Sequence, residues 1–236
     1  MNFFTLDIET IPHERTDGIP RIVDDEGRAY LEATGALPSL HAATCRVVQV
    51  SLGRRNRTGE IETGIYQWDD YETPGAGPDD IERALLRDAL DAAALRLTKG
   101  HQLVTFNGKG FDLSVVRWRS RILGLSYPEI RWELLGHPYR EESHLDLRIL
   151  LGNGNRAARG TLQVWADAFG VPARECGALV EGWVHNGNWT ALREYGESEA
   201  ATLVLMYERI TGAVEGPSSH IGEGAGRETS RHPEDT

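Results

Sequence analysis

The chain has 236 residues, of which 40% are hydrophobic, and a formal net charge of -11; that length suits one sizeable domain able to bury its own core. Two cysteines, Cys45 and Cys176, without CxxC or Cys/His spacing exclude a disulfide framework and a structural zinc site. No apolar run reaches a membrane span and no leader-like pattern opens the chain, so a soluble cytoplasmic protein is expected. The acidity excludes a general nucleic-acid coat, since phosphate binding relies on Lys and Arg to release counterions.

In chain order, "NFFTLDIE" reads as a first strand, "RVVQVSLG" (46–53) as a second and "IETGIYQW" (61–68) as a third, with Arg/Asn/Gly punctuation marking a hairpin between the last two. Residues 11–44 form a polar insertion containing Gly and Pro, with no obvious strand. "PDDIERALLRDALDAAALRL" has apolar residues at helical spacing and an acidic first turn that suits a helix N-terminus. "QLVTF" (102–106) is a short buried strand, broken by "NGKG" and followed by the helical "FDLSVVRWRSRILGL". "SHLDLRILLG" is ambiguous between strand and helix. "GTLQVWADAFGVP" is a helix stopped by Gly170 and Pro172, and the longest helical pattern runs from Trp189 to Ile210. Residues 212–236 are Gly, Ser, Glu and Pro with few apolar side chains, the composition of a disordered tail. The arrangement predicts a single α/β domain over 1–211 with a mixed sheet.

The first strand poses a problem of charge. Residues i and i+2 of a strand point to the same side, so Asp7 and Glu9 share one face while Leu6 and Ile8 take the other. Two unit charges about 4 Å apart repel by roughly 4 kcal/mol at an effective dielectric near 20. An Arg or Lys, a shared proton or a metal ion would neutralise them; a strand end with both groups in solvent is the bland alternative. Asp112 follows "FNGKGF" at a helix start, where a carboxylate is favoured by the helix dipole alone. Tyr195 and Glu199, at i and i+4 on the last helix, share a face. Basic residues gather in "GRRNR" (53–57) and "RWRSR" (117–121), each also readable as an ordinary solvated face.

Taken together, an acidic pair on the first strand, a carboxylate after "FNGKGF" and a Tyr-x-x-x-acid face on the last helix resemble the DEDD superfamily of 3′-5′ exonucleases, in the branch with tyrosine in the third motif. The nearest resemblance is to the predicted exonucleases related to the exonuclease domain of B-family DNA polymerases. "LDIET", "FNGKGFD" and "YGESEAATLVLMYER" match the three motifs, and "HLDLRILLG" and "TLQVWADAFGVP" resemble the segments between the second and third. The departure is Glu199, where the family pattern has Asp.

The resemblance implies a ribonuclease H-like, mixed five-stranded sheet flanked by helices. It implies two divalent cations, Mg²⁺ or Mn²⁺, which take oxygen ligands, and Asp7, Glu9, Asp112, Tyr195 and Glu199 as catalytic residues, the four carboxylates being the metal ligands. Thr10, Asn107, Phe111, Arg117, Arg119 and Arg121 are the expected substrate contacts. The implied activity is 3′-5′ hydrolysis of single-stranded nucleic acid, DNA ahead of RNA, with release of nucleoside 5′-monophosphates and no membrane partner; the alternative is a catalytically weak nucleic-acid-binding module that retains the fold.

Overall fold

The computed structural model describes residues 2–12, 42, 44–137, 140–154, 160–174 and 177–212. The three N-terminal apolar runs form strands β1 (Phe3–Pro12), β2 (Cys45–Arg55) and β3 (Ile61–Gln67), joined antiparallel. At the β2–β3 hairpin, Asn56 Oδ1 accepts the Thr58 and Glu60 N–H groups, and Gly59 takes a φ of 88°. Strands β4 (Gln102–Thr105) and β5 (His144–Asp146) add in parallel on the other edge of β1. The order is β3-β2-β1-β4-β5, a mixed sheet with β1 at its centre, as a ribonuclease H-like fold requires.

Two boundaries differ from the sequence reading. Strand β1 runs to Pro12 and pairs Ile11 with Arg46, so the first residues assigned to the polar insertion belong to the sheet. The ambiguous "HLDLRILLG" is both things in succession, because Asp146 ends β5 and caps the helix that follows. The remainder of the insertion from residue 13 to 41, Cys176 and the segment from residue 213 onward lie outside the described residues.

Seven α-helices are seen among the described residues: α1 (Pro78–Thr98), α2 (Asp112–Ile122), α3 (Trp132–Leu135), α4 (Leu147–Leu151), α5 (Leu162–Phe169), α6 (Val180–His185) and α7 (Trp189–Thr211). Their ends follow local chemistry. Helix α1 begins with Pro78 at a position whose N–H has no helical partner, and Asp80 accepts the Gly77 N–H. Thr161 and Asn188 cap α5 and α7, and Gly170 and Gly212 end them in the left-handed conformation.

The sheet separates two faces. Phe4, Leu6 and Ile8 alternate along β1 into a core shared with Val50 and Leu52 of β2 and with Leu85, Leu86, Val115 and Val116 of α1 and α2. The opposite face, carrying Thr5, Asp7 and Glu9, receives α7. This helix lies unusually close to the strands because two glycines permit it. A Cβ at Gly53 would stand 2.6 Å from Thr5 Oγ1 and 2.7 Å from Ala200 O, and one at Gly196 would stand 2.5 Å from Ser51 Oγ. Thr5 Oγ1 hydrogen-bonds Ala200 O across the same contact, at 3.4 Å. The depth of α7 decides where Tyr195 and Glu199 arrive.

Candidate functional site

Asp7 and Glu9 sit opposite Ser51 and Gln49 of β2, with a β-bulge immediately after Glu9. Bulges re-aim side chains, and here one ends the regular alternation beside an acidic pair, leaving Thr10 half-buried just beyond it. Gln49 and Ser51 lie under Gly196. Glu199, one turn further along α7, therefore comes down over the carboxylates of β1, and one ligand oxygen each from Asp7, Glu9 and Glu199 lie within 4.8 Å of one another. The additional methylene of Glu199 does not keep its carboxylate out of the cluster. Glu197, on the outer face of α7, is exposed.

The N-terminal part of α7 is pinned by buried amides. Gln49 Nε2 donates to Gln67 Oε1 at 2.7 Å and to Leu192 O at 3.0 Å, and Gln67 Nε2 donates to Asp69 Oδ1 at 2.7 Å and to Trp189 O at 3.0 Å. Both glutamines are fully buried. The signal for Gln49 was present in the sequence as polar residues at period two inside "VVQVS", on the strand that faces Asp7 and Glu9.

Asp112 reaches the same region from the other direction. Strand β4 ends at Thr105, the chain turns through 107–111, and α2 starts with Asp112, whose carboxylate accepts the Ile8 N–H of β1. Asp112 is 4% exposed; it approaches Asp7 and Glu199 closely enough to affect their charge but stands outside the three-oxygen cluster.

Electrostatics mark the cluster as incomplete. Burial, reinforced by Glu199, Asp112 and Glu9, pushes the Asp7 carboxyl well above the usual carboxylate range. Glu9 moves the same way through burial and its neighbours Glu199 and Asp112. Burial raises Asp112 to about 7, with Asp146 adding to the effect. Burial also raises Glu199, against hydrogen bonds from Asp7, Tyr195 and Glu9 that oppose it. Carboxylates at this spacing hold together only by sharing a proton or a cation. Asp7 Oδ2 is buried without a hydrogen-bond partner, and an all-oxygen donor set suits a hard divalent cation. The residues present therefore fit a metal site.

Tyr195 is 5% exposed and hydrogen-bonds Glu199. Burial and the nearby Glu199 and Glu9 charges raise its hydroxyl far above the ordinary tyrosine value, so it keeps its proton. Its ring meets Trp183 of α6 edge to face, with centroids 5.8 Å apart, and a Cβ at Gly177 would lie 3.4 Å from its hydroxyl. Trp183 and Gly177 thus wall the tyrosine side of the site, although neither belongs to a motif visible in the sequence.

The expected substrate contacts divide. Asn107 and Phe111 occupy the turn before α2, Asn107 at a left-handed φ of 68° and Phe111 packed partly against the core of α1 and α2. Arg121 is exposed on α2. Arg117 stacks over the Trp118 ring at 5.1 Å and pairs with Glu133 at 3.3 Å. Arg119 corrects the sequence reading. It is 3% exposed and grips Glu82 of α1 with Nε–Oε1 and Nη2–Oε2 distances of 2.8 and 2.5 Å, so this side chain is turned inward and cannot meet a substrate. The helical period places residue 119 on the buried face with Val115 and Val116. In "GRRNR", Arg54 pairs with Glu62 and Arg55 with Glu208, so both are already engaged by carboxylates.

Comparison with known proteins agrees with the topology. Residues 38–218 match the model of a family described as a predicted 3′-5′ exonuclease related to the exonuclease domain of PolB. The match begins after β1, so the placement of Asp7 and Glu9 rests on the geometry. Among solved structures, the family B DNA polymerase from the hyperthermophilic archaeon Pyrobaculum calidifontis is similar in fold, with a TM-score of 0.53 at 18% identity over 88% of this chain. The similarity spans 24% of that polymerase. No curated protein matches the chain.

Proposed function

The chain belongs to the family of predicted 3′-5′ exonucleases related to the exonuclease domain of PolB, and on that premise we propose that it hydrolyses single-stranded nucleic acid, DNA in preference to RNA, from the 3′ end with release of nucleoside 5′-monophosphates. The observation that carries this reading is the convergence of Asp7, Glu9 and Glu199 oxygens within 4.8 Å around a buried, unpartnered Asp7 Oδ2.

Asp7, Glu9 and Glu199 would hold one divalent cation, Mg²⁺ or Mn²⁺, and Asp7 with Asp112 a second. When bound, such ions supply a hydroxide at neutral pH and neutralise the charge that builds on the leaving oxygen. Tyr195 acts through position. Its hydroxyl donates to Glu199 and keeps its proton, so its oxygen is left to accept a hydrogen from the attacking water, turning a water lone pair toward phosphorus. Glu199 is held by that same bond. Asn107 and Phe111, in the turn that leads to Asp112, would meet the terminal nucleotide, and Arg117 and Arg121 would contact the backbone further along.

The test is incubation of the protein with matched, 5′-labelled single-stranded DNA and RNA in Mn²⁺. Stepwise shortening with monophosphate release, faster on DNA, is expected. Retained binding without release would replace this reading with that of a binding module.

A further inference from the structure

Three consecutive backbone N–H groups in the turn before α2 are held by side chains of β4 and β5. Asn107 N–H donates to Asp146 Oδ1 and Lys109 N–H to Asp146 Oδ2, each at 2.9 Å. Gly108 N–H donates to Thr105 Oγ1 at 3.1 Å, and that hydroxyl meets His144 Nε2 at 2.8 Å. His144 Nδ1 lies 2.7 Å from Leu135 O. A carbonyl only accepts, so Nδ1 carries the hydrogen and Nε2 accepts from Thr105. Asp146 thus holds the first and third N–H groups directly, and His144 orients the Thr105 hydroxyl that holds the second; both lie on β5 and are nearly inaccessible to solvent.

Asp146 also accepts the Arg148 and Ile149 N–H groups at the start of α4, at 3.0 and 3.4 Å. Three of the four N–H groups, those of Asn107, Arg148 and Ile149, meet Oδ1, and that of Lys109 meets Oδ2. Both Asp146 oxygens are thus engaged by backbone N–H groups, in contrast to Asp7, whose Oδ2 has no partner. Its binding of the turn has a physical cause. Asn107 holds a left-handed φ of 68°, a conformation that costs about 1 kcal/mol or more for a residue other than glycine. The Asn107 and Lys109 N–H groups of this turn meet at one carboxylate, the kind of backbone cradle that suits an anion. Asp146 is that anion, supplied from within the chain.

We propose that Asp146 is the positioning residue of this centre: by tying the 107–111 turn to the start of α4 it fixes the place at which α2 delivers the Asp112 carboxylate. The turn is rigid from that anchor onward. Asn107 O accepts the Gly110 and Phe111 N–H groups, and Gly108 O accepts that of Leu113, so a displacement at residue 107 is transmitted to Asp112 without slack. At the far end Asp112 accepts the Ile8 N–H of β1, and this bond reports its position directly. The role of Asp112 in holding a cation rests on the function proposed above; its placement by Asp146 does not.

Asp146→Asn tests it in the full-length protein. The amide keeps the size but replaces one accepting oxygen with a donor that faces an N–H. Amide hydrogen exchange followed by NMR is expected to quicken at least tenfold at Asn107 and Lys109 and also at Ile8, on a different strand. Mn²⁺ titration followed by electron paramagnetic resonance is expected to show one ion weakened at least tenfold and the other unchanged, and kcat for DNA shortening is expected to fall at least tenfold with KM within twofold. Tyr127→Phe, which removes the remote Tyr127 hydroxyl to Arg87 O bond of 3.0 Å, serves as a control for loss of stability and should leave Ile8 protected. Unchanged Ile8 exchange in Asp146→Asn overturns the proposal whether or not the protein is active. So does a rise in KM with kcat unaltered, or an Ile8 effect equalled by the control. Wild-type protein that binds no Mn²⁺ and shortens no nucleic acid sinks the proposed function instead, and the Ile8 readout then still decides the role of Asp146.

Discussion

Gly196 rests directly on Gln49: a Cβ at position 196 would fall 2.7 Å from Gln49 Cδ and closer still to its Oε1. Gln49 cannot yield cheaply, since it is fully buried and bonded to Gln67 and Leu192. Alanine at this helical position would ordinarily stabilise by about 1 kcal/mol. Gly196→Ala is nevertheless expected to destabilise by about 1–3 kcal/mol, the cost of overpacking, and to cut activity further by lifting Tyr195 and Glu199 from β1. A urea midpoint equal to or above wild type would show that α7 does not depend on this close approach.

The carboxylate cluster sets a pH dependence whose sign is determined. The folded protein holds protons on Asp7, Glu9 and Asp112 at pH values where the unfolded chain has released them, Asp112 up to about 7. More protons bound in the folded state means that stability falls as pH rises. His144, which burial lowers to about 4, works in the opposite direction over an overlapping range, so the cluster is best read as a difference. Asp7→Asn retains His144, and in EDTA it should gain stability over wild type increasingly from pH 5 to pH 8. Saturating Mn²⁺ should reverse the order at pH 8, because a ligand that binds only the folded state stabilises it. Equal urea midpoints for the two proteins at pH 8 in EDTA would contradict the repulsion.

Glu199 and Tyr195 are expected to differ in rank. Glu199→Ala removes one of three converging oxygens, and hydrolysis should fall by about a hundredfold or more. Tyr195→Phe removes only an orienting hydroxyl and should cost about tenfold. Mg²⁺ demands near-ideal octahedral geometry, so the longer Glu199 side chain should make Mn²⁺ the better ion, and Glu199→Asp should narrow the gap between them. Single-turnover rates with each ion measure all three.

Arg119 and Arg121, two positions apart, should respond oppositely. Arg119→Ala leaves the buried Glu82 without its principal partner and should destabilise by about 3 kcal/mol while the salt dependence of single-strand binding stays as it was. Arg121→Ala should leave stability within about 0.5 kcal/mol and reduce the slope of log K against log salt by about 1 if this side chain meets a phosphate. An unaltered slope in Arg121→Ala would return α2 to an ordinary solvated face.

Much of this molecule was legible from local pattern. Alternation along "FFTLDIET" put Asp7 and Glu9 on one face and the apolar residues on the other, and the structure divides β1 in that way. The i, i+4 spacing put Tyr195 beside Glu199. The stop read at Gly170 ends its helix, in the left-handed conformation. These features depend on backbone geometry over a few residues, which a sequence carries in full. What the sequence left open depends on which distant segments meet. Arg119 looked like its neighbours Arg117 and Arg121 until Glu82, 37 residues away, was found against it. Asp146 lay in a stretch of undecided character, and its function as both helix cap and turn anchor exists only because β5 lies beside β4. Gly196 and Gly53 have no local turn to explain them, and their purpose emerges only where α7 crosses β2. Periodicity assigns a side chain to a face, but the partner waiting on that face comes from elsewhere in the chain, and the charge, depth and closeness of that partner are settled by tertiary packing.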